Sequence, residues 1–435
     1  FVPSQKFLPT YFLFSMRKNT ISRLLNQISS DNNYLVLLFA LLITSSAWSF
    51  FLTSVSTILI TAAAILNFWF QRRKYDKVGG ERDFSFKKYF PYVCVSALFF
   101  LTVLSGLWSE NSHDYLGAIR IKAPLFVLPL SIYFLPKLST KQFYKIFTIL
   151  IIFLGCYGLF IIIDYSFHSK IYTQLLYFGQ PVPHIRDHVR FTILCAFAFI
   201  VGVITLEKNV LIKIFQRIYL AALAIIFIAL HIISARSGLL ILYASILVYI
   251  IRLAFIKRQY LKHSFFVLVI ALIPIIAFYT VDSFHQKINY FLWDRQMQQQ
   301  GDSKTYSDGE RWVSNEIGIK IFKENKLLGT GVGDFWDSIK KEYTLSAPSF
   351  DPKMPHNQFI VVAASFGILG LMVFLFGFLY NLNGFDYEIL GEIKLFFYLN
   401  MLLAFCFDVP LEAEFGIVFY AFFASLLIKQ NDEKV

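Results

Sequence analysis

Residues 34–70 read YLVLLFALLITSSAWSFFLTSVSTILITAAAILNFWF, 37 positions without a single Asp, Glu, Lys or Arg. A helix of that length would run ~56 Å, whereas the hydrocarbon core of a bilayer is ~30 Å thick. The stretch is too long for one membrane helix and fits two, over 34–49 and 51–70. No water-soluble fold needs so long an uncharged apolar run, and its lack of strict alternation selects helices over the strands of a barrel.

The same pattern recurs along the chain. Further apolar segments fall near 89–108, 117–135, 146–166, 191–206, 214–233, 237–254, 264–281, 356–380, 394–408 and 414–428. Composition agrees: 57% of the 435 residues are hydrophobic and 16% charged, too apolar for a soluble protein of this length. The expected fold class is all-α, a polytopic membrane protein of about twelve transmembrane helices with one large periplasmic loop containing short helices.

The net charge of +12 does not point to nucleic acid, because the basic residues sit in short connections between apolar runs. With the N-terminus inside, those cytoplasmic connections hold 24 Lys and Arg, and the short outer ones hold six: Arg120, Lys122, Lys170, Arg186, Arg190 and Arg236. The asymmetry places both termini in the cytoplasm by the positive-inside rule. The expected organisation is a cytoplasmic N-terminal segment over 1–33, nine transmembrane helices over 34–281, a periplasmic loop over 282–355, three more helices over 356–428, and a cytoplasmic tail over 429–435. Met16, followed by Arg17 and Lys18, looks like the natural start, so residues 1–15 are left out of the fold. Cys94, Cys156, Cys195 and Cys406 lie in apolar segments without metal-ligand spacing and read as small core residues.

The loop carries ten basic and eleven acidic residues. It has a helix-like run over 307–326, with Ser307 and Asp308 as caps, then Gly329-Thr330-Gly331-Val332-Gly333, then a second helical pattern over 334–343. Pro348, Pro352 and Pro355 steer the chain back to the membrane.

The polar residues that invite a chemical reading gather on the outer side. His184-Ile185-Arg186-Asp187-His188-Val189-Arg190 abuts lipid-depth sequence, and Ser234-Ala235-Arg236-Ser237-Gly238 joins two apolar segments. An arginine at membrane depth costs roughly 2.5–3.5 kcal/mol on insertion scales. It either snorkels to the interface or answers an anion, for which its forked, permanently charged guanidinium is suited. His356, in Met354-Pro355-His356-Asn357, is either an interfacial residue or a general base near neutral pH. A base of ordinary pKa, ~6.5, gives a rate that rises through that region. The three-glycine turn reads as an anion-binding nest or as a simple turn, and Arg311 as solvated or functional. Asp164, Asp187 and Asp408 stand isolated in sequence. No Walker A, Gly-x-Ser-x-Gly, His-Glu-x-x-His or Asp-x-Asp motif is present, and no metal site can be argued.

Three of these motifs together resemble a known family. His356-Asn357, nine residues, Gly367, two residues, Gly370 is similar to the signature of bacterial O-antigen ligases and related oligosaccharyltransferases. Ser234-Ala235-Arg236-Ser237-Gly238 before an apolar helix looks like the start of the shared O-antigen ligase/polymerase domain. Gly309-Glu310-Arg311-Trp312, leading into Leu328-Gly329-Thr330-Gly331-Val332-Gly333-Asp334-Phe335, is similar to that family's loop. The resemblance spans roughly residues 185–380.

It implies a glycosyltransferase of the bacterial inner membrane with its site facing the periplasm. A glycan would pass from a polyprenyl-diphosphate carrier to a hydroxyl of lipid A-core, without a metal or other cofactor. The partners it implies are that donor, that acceptor and membrane lipids, with no nucleic acid. The family's diphosphate-binding arginines would fall on Arg190 and Arg236, with Arg186 four residues before Arg190, and its catalytic histidine on His356. Arg311, Asn357 and His188 are secondary candidates. Alternatives within the same chemistry are an O-antigen polymerase and a protein O-oligosaccharyltransferase. A secondary transporter is the alternative from another class, although neither repeated halves nor paired broken helices are seen in the sequence.

Overall fold

The structure is a computed structural model that describes residues 32–78, 86–177, 180, 187–208, 213–299, 307–383 and 388–431. Among them every regular element is a helix. In chain order these are α1 (Asn33–Ser46), α2 (Phe50–Val78), α3 (Phe86–Val95), α4 (Ala97–Ser105), α5 (Ser112–Lys122), α6 (Pro124–Phe134), α7 (Thr140–Tyr177), α8 (His188–Glu207) and α9 (Lys213–Ile233). There follow α10 (Arg236–Lys257), α11 (Tyr260–Thr280), α12 (Asp282–Gln299), α13 (Ser307–Glu324), α14 (Phe335–Ser346), α15 (Gln358–Tyr380), α16 (Ile389–Phe407), a 3-10 turn (Pro410–Glu412) and α17 (Glu414–Asn431).

All twelve apolar segments are helical, but they are not twelve equal spans. Among the described residues nine helices are long and apolar enough to cross a membrane, or ten when α3 and α4, bent by 64°, count as one span. The helix α1 has 14 residues, ~21 Å of rise, which is short of a bilayer core. The helix α17 is a core element: most of its side chains are buried on every side, as expected for a helix hydrophobic all round. Its Phe422 meets Phe39 of α1, with ring centroids 5.1 Å apart. Phe423 meets Phe147 of α7 at 5.6 Å and Phe197 of α8 at 5.1 Å, and Phe419 meets Phe397 of α16 at 5.7 Å.

The segment 282–355 folds on top of this bundle. The expected runs at 307–326 and 334–343 appear as α13 and α14, while the side chains of the proposed caps Ser307 and Asp308 lie outside the described residues. A further helix, α12, precedes them. It packs on α7, which is broken at His168 (φ −120°, ψ 23°); the stretch before the break rises ~42 Å and so already overhangs the hydrocarbon, and the Ser283 amide donates to the Tyr165 hydroxyl at 3.2 Å. Ile317 and Ile321 of α13, Phe335, Ile339 and Tyr343 of α14, and Val361 and Ala364 of α15 make a second, smaller core.

The glycine-rich turn is a clasp on a broken helix. Within α15, Gly367 has φ 67° and ψ −169°, a conformation open in practice to glycine alone. The carbonyls freed by that break are taken up by the loop: Thr330 N–H donates to Ala364 O at 3.0 Å and Gly331 N–H to Ser365 O at 2.9 Å. In return Ile368 N–H donates to Lys326 O at 2.8 Å. The approach is so close that a Cβ on Gly367 would lie 2.1 Å from Leu327 O, and one on Gly329 2.3 Å from the Ser365 carbonyl carbon. Gly333 N–H meets Ser109 Oγ at 3.2 Å. These amides point at protein acceptors, which leaves no nest for an anion. A break in a membrane helix is tolerated only where protein satisfies the backbone, and here the loop does so.

Candidate functional site

The site is built where the first turns of α8 and α15 meet the end of α16. Asp187 caps α8, its Oδ1 accepting from the Arg190 amide at 3.2 Å. Its other oxygen accepts from Arg190 Nη1 at 2.8 Å, and Arg190 Nη2 donates to the Val409 carbonyl at 2.9 Å. Asp408 Oδ2 stands 3.7 Å from the same nitrogen. A guanidinium held on three sides and 18% exposed is not snorkelling. It is a fixed cation at the edge of the membrane region.

Asp408 follows the last residue of α16 and is extended (φ −154°, ψ 178°). Burial pushes its carboxyl above the usual carboxylate range, against the pull of Arg190. Neither Asp187 nor Asp408 is isolated in space, and Asp164 likewise bonds His168 at 3.1 Å and the Tyr172 hydroxyl.

Asn357 has a structural role. Its side-chain oxygen caps α15, accepting from Phe359 N–H at 3.0 Å and Ile360 N–H at 3.1 Å, as an N-cap residue does. Its Nδ2 donates to Cys406 O at 3.1 Å. Next to it, buried Gln358 accepts from Leu411 N–H and donates to Glu412 Oε1, both at 3.0 Å. Glu412 in turn pairs with the buried Lys122 of α5. Lys122, counted above among the outer connections, therefore lies inside the Ser112–Phe134 span, stabilised by a partner that answers its charge.

His356 sits on the turn this network holds. Its Nδ1 is buried and has no hydrogen-bond partner among the described residues. Burial, helped by the nearby cations Arg311, Lys353 and Arg190, lowers its pKa to about 4; Glu310 opposes them weakly. Glu310 is itself bonded to Lys353. Arg311 also acts on Asp408 and on His188, and Lys287 and Asp187 act on His188 as well. Arg190, His188, Arg311 and His356 thus fall in one electrostatic cluster.

Arg236 stands at the start of the neighbouring helix. Ser234, at φ 52°, turns the chain into α10, and a Cβ on Gly238 would lie 2.2 Å from Thr192 Oγ1, so the first turns of α8 and α10 touch. The Arg236 guanidinium lies over the Phe291 ring of α12, 4.9 Å from its centroid, a cation–π contact. Arg186 and His184 lie outside the described residues. Sequence reading left Asp408 as an isolated charge, placed Lys122 in an outer connection and missed Glu412; the one available signal was their charge inside or beside apolar runs.

Residues 221–375 match the family model described as O-antigen ligase, an interval that holds Arg236, Arg311, His356 and Gly367; Arg190 and Asp408 lie outside it. No curated protein matches the chain. The matched interval runs from α9 through the loop into α15, and it supports membership of the O-antigen ligase/polymerase family.

Proposed function

We propose that the protein transfers a glycan from a polyprenyl-diphosphate carrier to a hydroxyl of lipid A-core, at the periplasmic face of the bacterial inner membrane and without a metal. The observation that carries this reading is the fixed Arg190 guanidinium beside the His356 turn, both held by the 406–412 segment. In the reaction the acceptor oxygen bonds to the anomeric carbon while its proton passes to the His356 imidazole. The glycosyl–phosphate bond breaks, and its electron pair stays with the departing diphosphate. Arg190 and Arg236 take up the charge that develops there, with Arg311 in the electrostatic cluster around His356. Preoriented donors in a water-poor site are the largest single aid to such a step.

The pKa of His356 fits this order of events. In the substrate-free site burial, helped by three cations, holds the imidazole neutral, so it is ready to accept a proton but weak as a base. A bound diphosphate offsets those cations and strengthens the base when the donor is in place. One large loop followed by His356-Asn357 favours a ligase over a polymerase.

Deletion of the gene tests the assignment through the glycolipid that accumulates. Long polymer left on the polyprenyl carrier, with core lipid unmodified, is the expected result. Single repeats capping the core would instead make the protein a polymerase.

A further inference from the structure

Beside the site, on the loop, lies a groove of about 410 Å³ that neither the transfer chemistry nor the family match explains. Val313, Glu316 and Lys320 of α13 line one side, and Ser346, Ser349 and Phe350 the other. Its polar wall is pre-arranged. Lys320 Nζ lies 2.6 Å from Glu342 Oε2 and donates to Ser346 Oγ at 3.0 Å, and Glu342 is buried behind them. Trp312, 69% exposed, donates its indole N–H at 2.7 Å to Oε1 of Glu316, which lines the groove.

The combination suits one class of ligand. The aromatic ring of Phe350, the apolar Val313, ordered donors and acceptors of both signs, and the exposed Trp312 indole bonded to Glu316 match a pyranose ring, which offers C–H groups on its faces and hydroxyls at its edge. The volume lies within the range of small-molecule sites. The groove is also joined rigidly to the chemistry. Trp312 follows Arg311 directly, Phe350 precedes His356 by six positions, and a Cβ on Gly318 of α13 would lie 2.7 Å from Pro355 Cγ, so α13 is seated on the turn that carries His356.

The geometry points to this groove as a saccharide subsite that binds one sugar ring of a glycan substrate and sets which glycan is accepted. This rests on the glycosyl-transfer reading above. The ring can come from the donor glycan or from the acceptor, and kinetics distinguish the two.

The test uses full-length protein in lipid nanodiscs, with lipid-linked glycan and core lipid extracted from the producing cells. One substrate is varied at a saturating level of the other, then the reverse. Trp312→Ala and Glu316→Gln are expected to raise KM about tenfold, the size of one lost hydrogen bond to a charged group, in one arm and with kcat little changed. Trp312→Phe, which keeps an aromatic face, should restore most of the affinity. Lys341→Ala, exposed on α14 away from the groove, serves as a control and should behave as wild type. A rise in the donor arm assigns the ring to the donor, and a rise in the acceptor arm to the acceptor. Unchanged KM in both arms, or a fall in kcat alone, overturns the subsite. Absence of transfer by the wild-type protein would instead overturn the reaction.

Discussion

Asn357 Nδ2 donates to the carbonyl oxygen of Cys406 at 3.1 Å, while its other amide atom caps α15. One side chain therefore ties the His356 turn to the segment that carries Asp408 and Val409, the partners of Arg190.

Two substitutions at Asn357 separate those duties. Asn357→Asp keeps a good cap but removes the donor and sets a carboxylate against the Cys406 carbonyl. Asn357→Ala loses both, with the cap alone worth ~1 kcal/mol. We expect Asn357→Asp to lose most transfer activity while the protein still accumulates. Wild-type turnover by Asn357→Asp would mean that the tie does not position His356.

The pH dependence follows from His356. The active form is the neutral imidazole, so rate is lost as pH falls through the pKa. Because that pKa is lowered to about 4, kcat/KM, which reports the free enzyme, should be flat from neutrality down to about pH 5 and fall below it, with no step near the ordinary histidine value of ~6.5. The profile of kcat should break at higher pH, since the bound diphosphate opposes the lowering cations. His356→Gln should abolish both breaks and slow transfer ~10²- to 10⁴-fold. Retention of full rate and an unchanged profile by that variant would remove His356 from the mechanism.

Arg190 tests the clamp. Arg190→Lys keeps the charge but cannot reach Asp187, Val409 and Asp408 with one fork, so activity should collapse with charge retained. Asp408→Ala leaves part of a buried guanidinium unanswered. Breaking a buried pair in this way costs about 3 kcal/mol, readable as a lower melting temperature in detergent micelles. Arg236→Lys should also lose most transfer, and near-normal rates for both Arg236→Lys and Arg236→Ala would sink its role at the diphosphate.

Gly329→Ala and Gly367→Ala should each open the clasp, since both positions have positive φ and face backbone within 2.3 Å of the added carbon. Limited proteolysis is the measurement: cleavage within 326–333 should become fast in either variant and stay slow in Gly117→Ala, where the added carbon meets nothing within 4 Å.

Orientation is open to impermeant thiol labelling in cells whose outer membrane is permeabilised. Ser349→Cys, exposed on the loop, should label, and Ser139→Cys, exposed at the start of α7, should not. The reverse pattern would turn the molecule over.

Much of the bundle was legible because long uncharged runs admit one structure in lipid. The helices α13 and α14 were legible from their apolar spacing. By contrast α12, DSFHQKINYFLWDRQMQQ, has no clear apolar stripe, and it is helical beside an overhanging α7 that no local pattern reveals. The site was legible one residue at a time. His356 and the arginines stand out by type, but the contact between Arg190 and the 408–409 segment bridges 219 positions, and nothing local encodes it. Asn357 stood out by its place in a motif, and its bonds show a cap that the motif did not announce. The glycines of the loop and Gly367 looked like separate features because each is half of one close approach.

That approach limits how the protein can be recombined. The amides of Thr330 and Gly331 and the carbonyls of Ala364 and Ser365 satisfy each other across the boundary between loop and bundle. A chimera that imports the loop of a relative but keeps the host's α15 would strand backbone groups of both parents in an apolar setting. The exchangeable module is therefore the loop together with the first half of α15, and a crossover placed after Ile368 keeps both halves of the clasp from one parent.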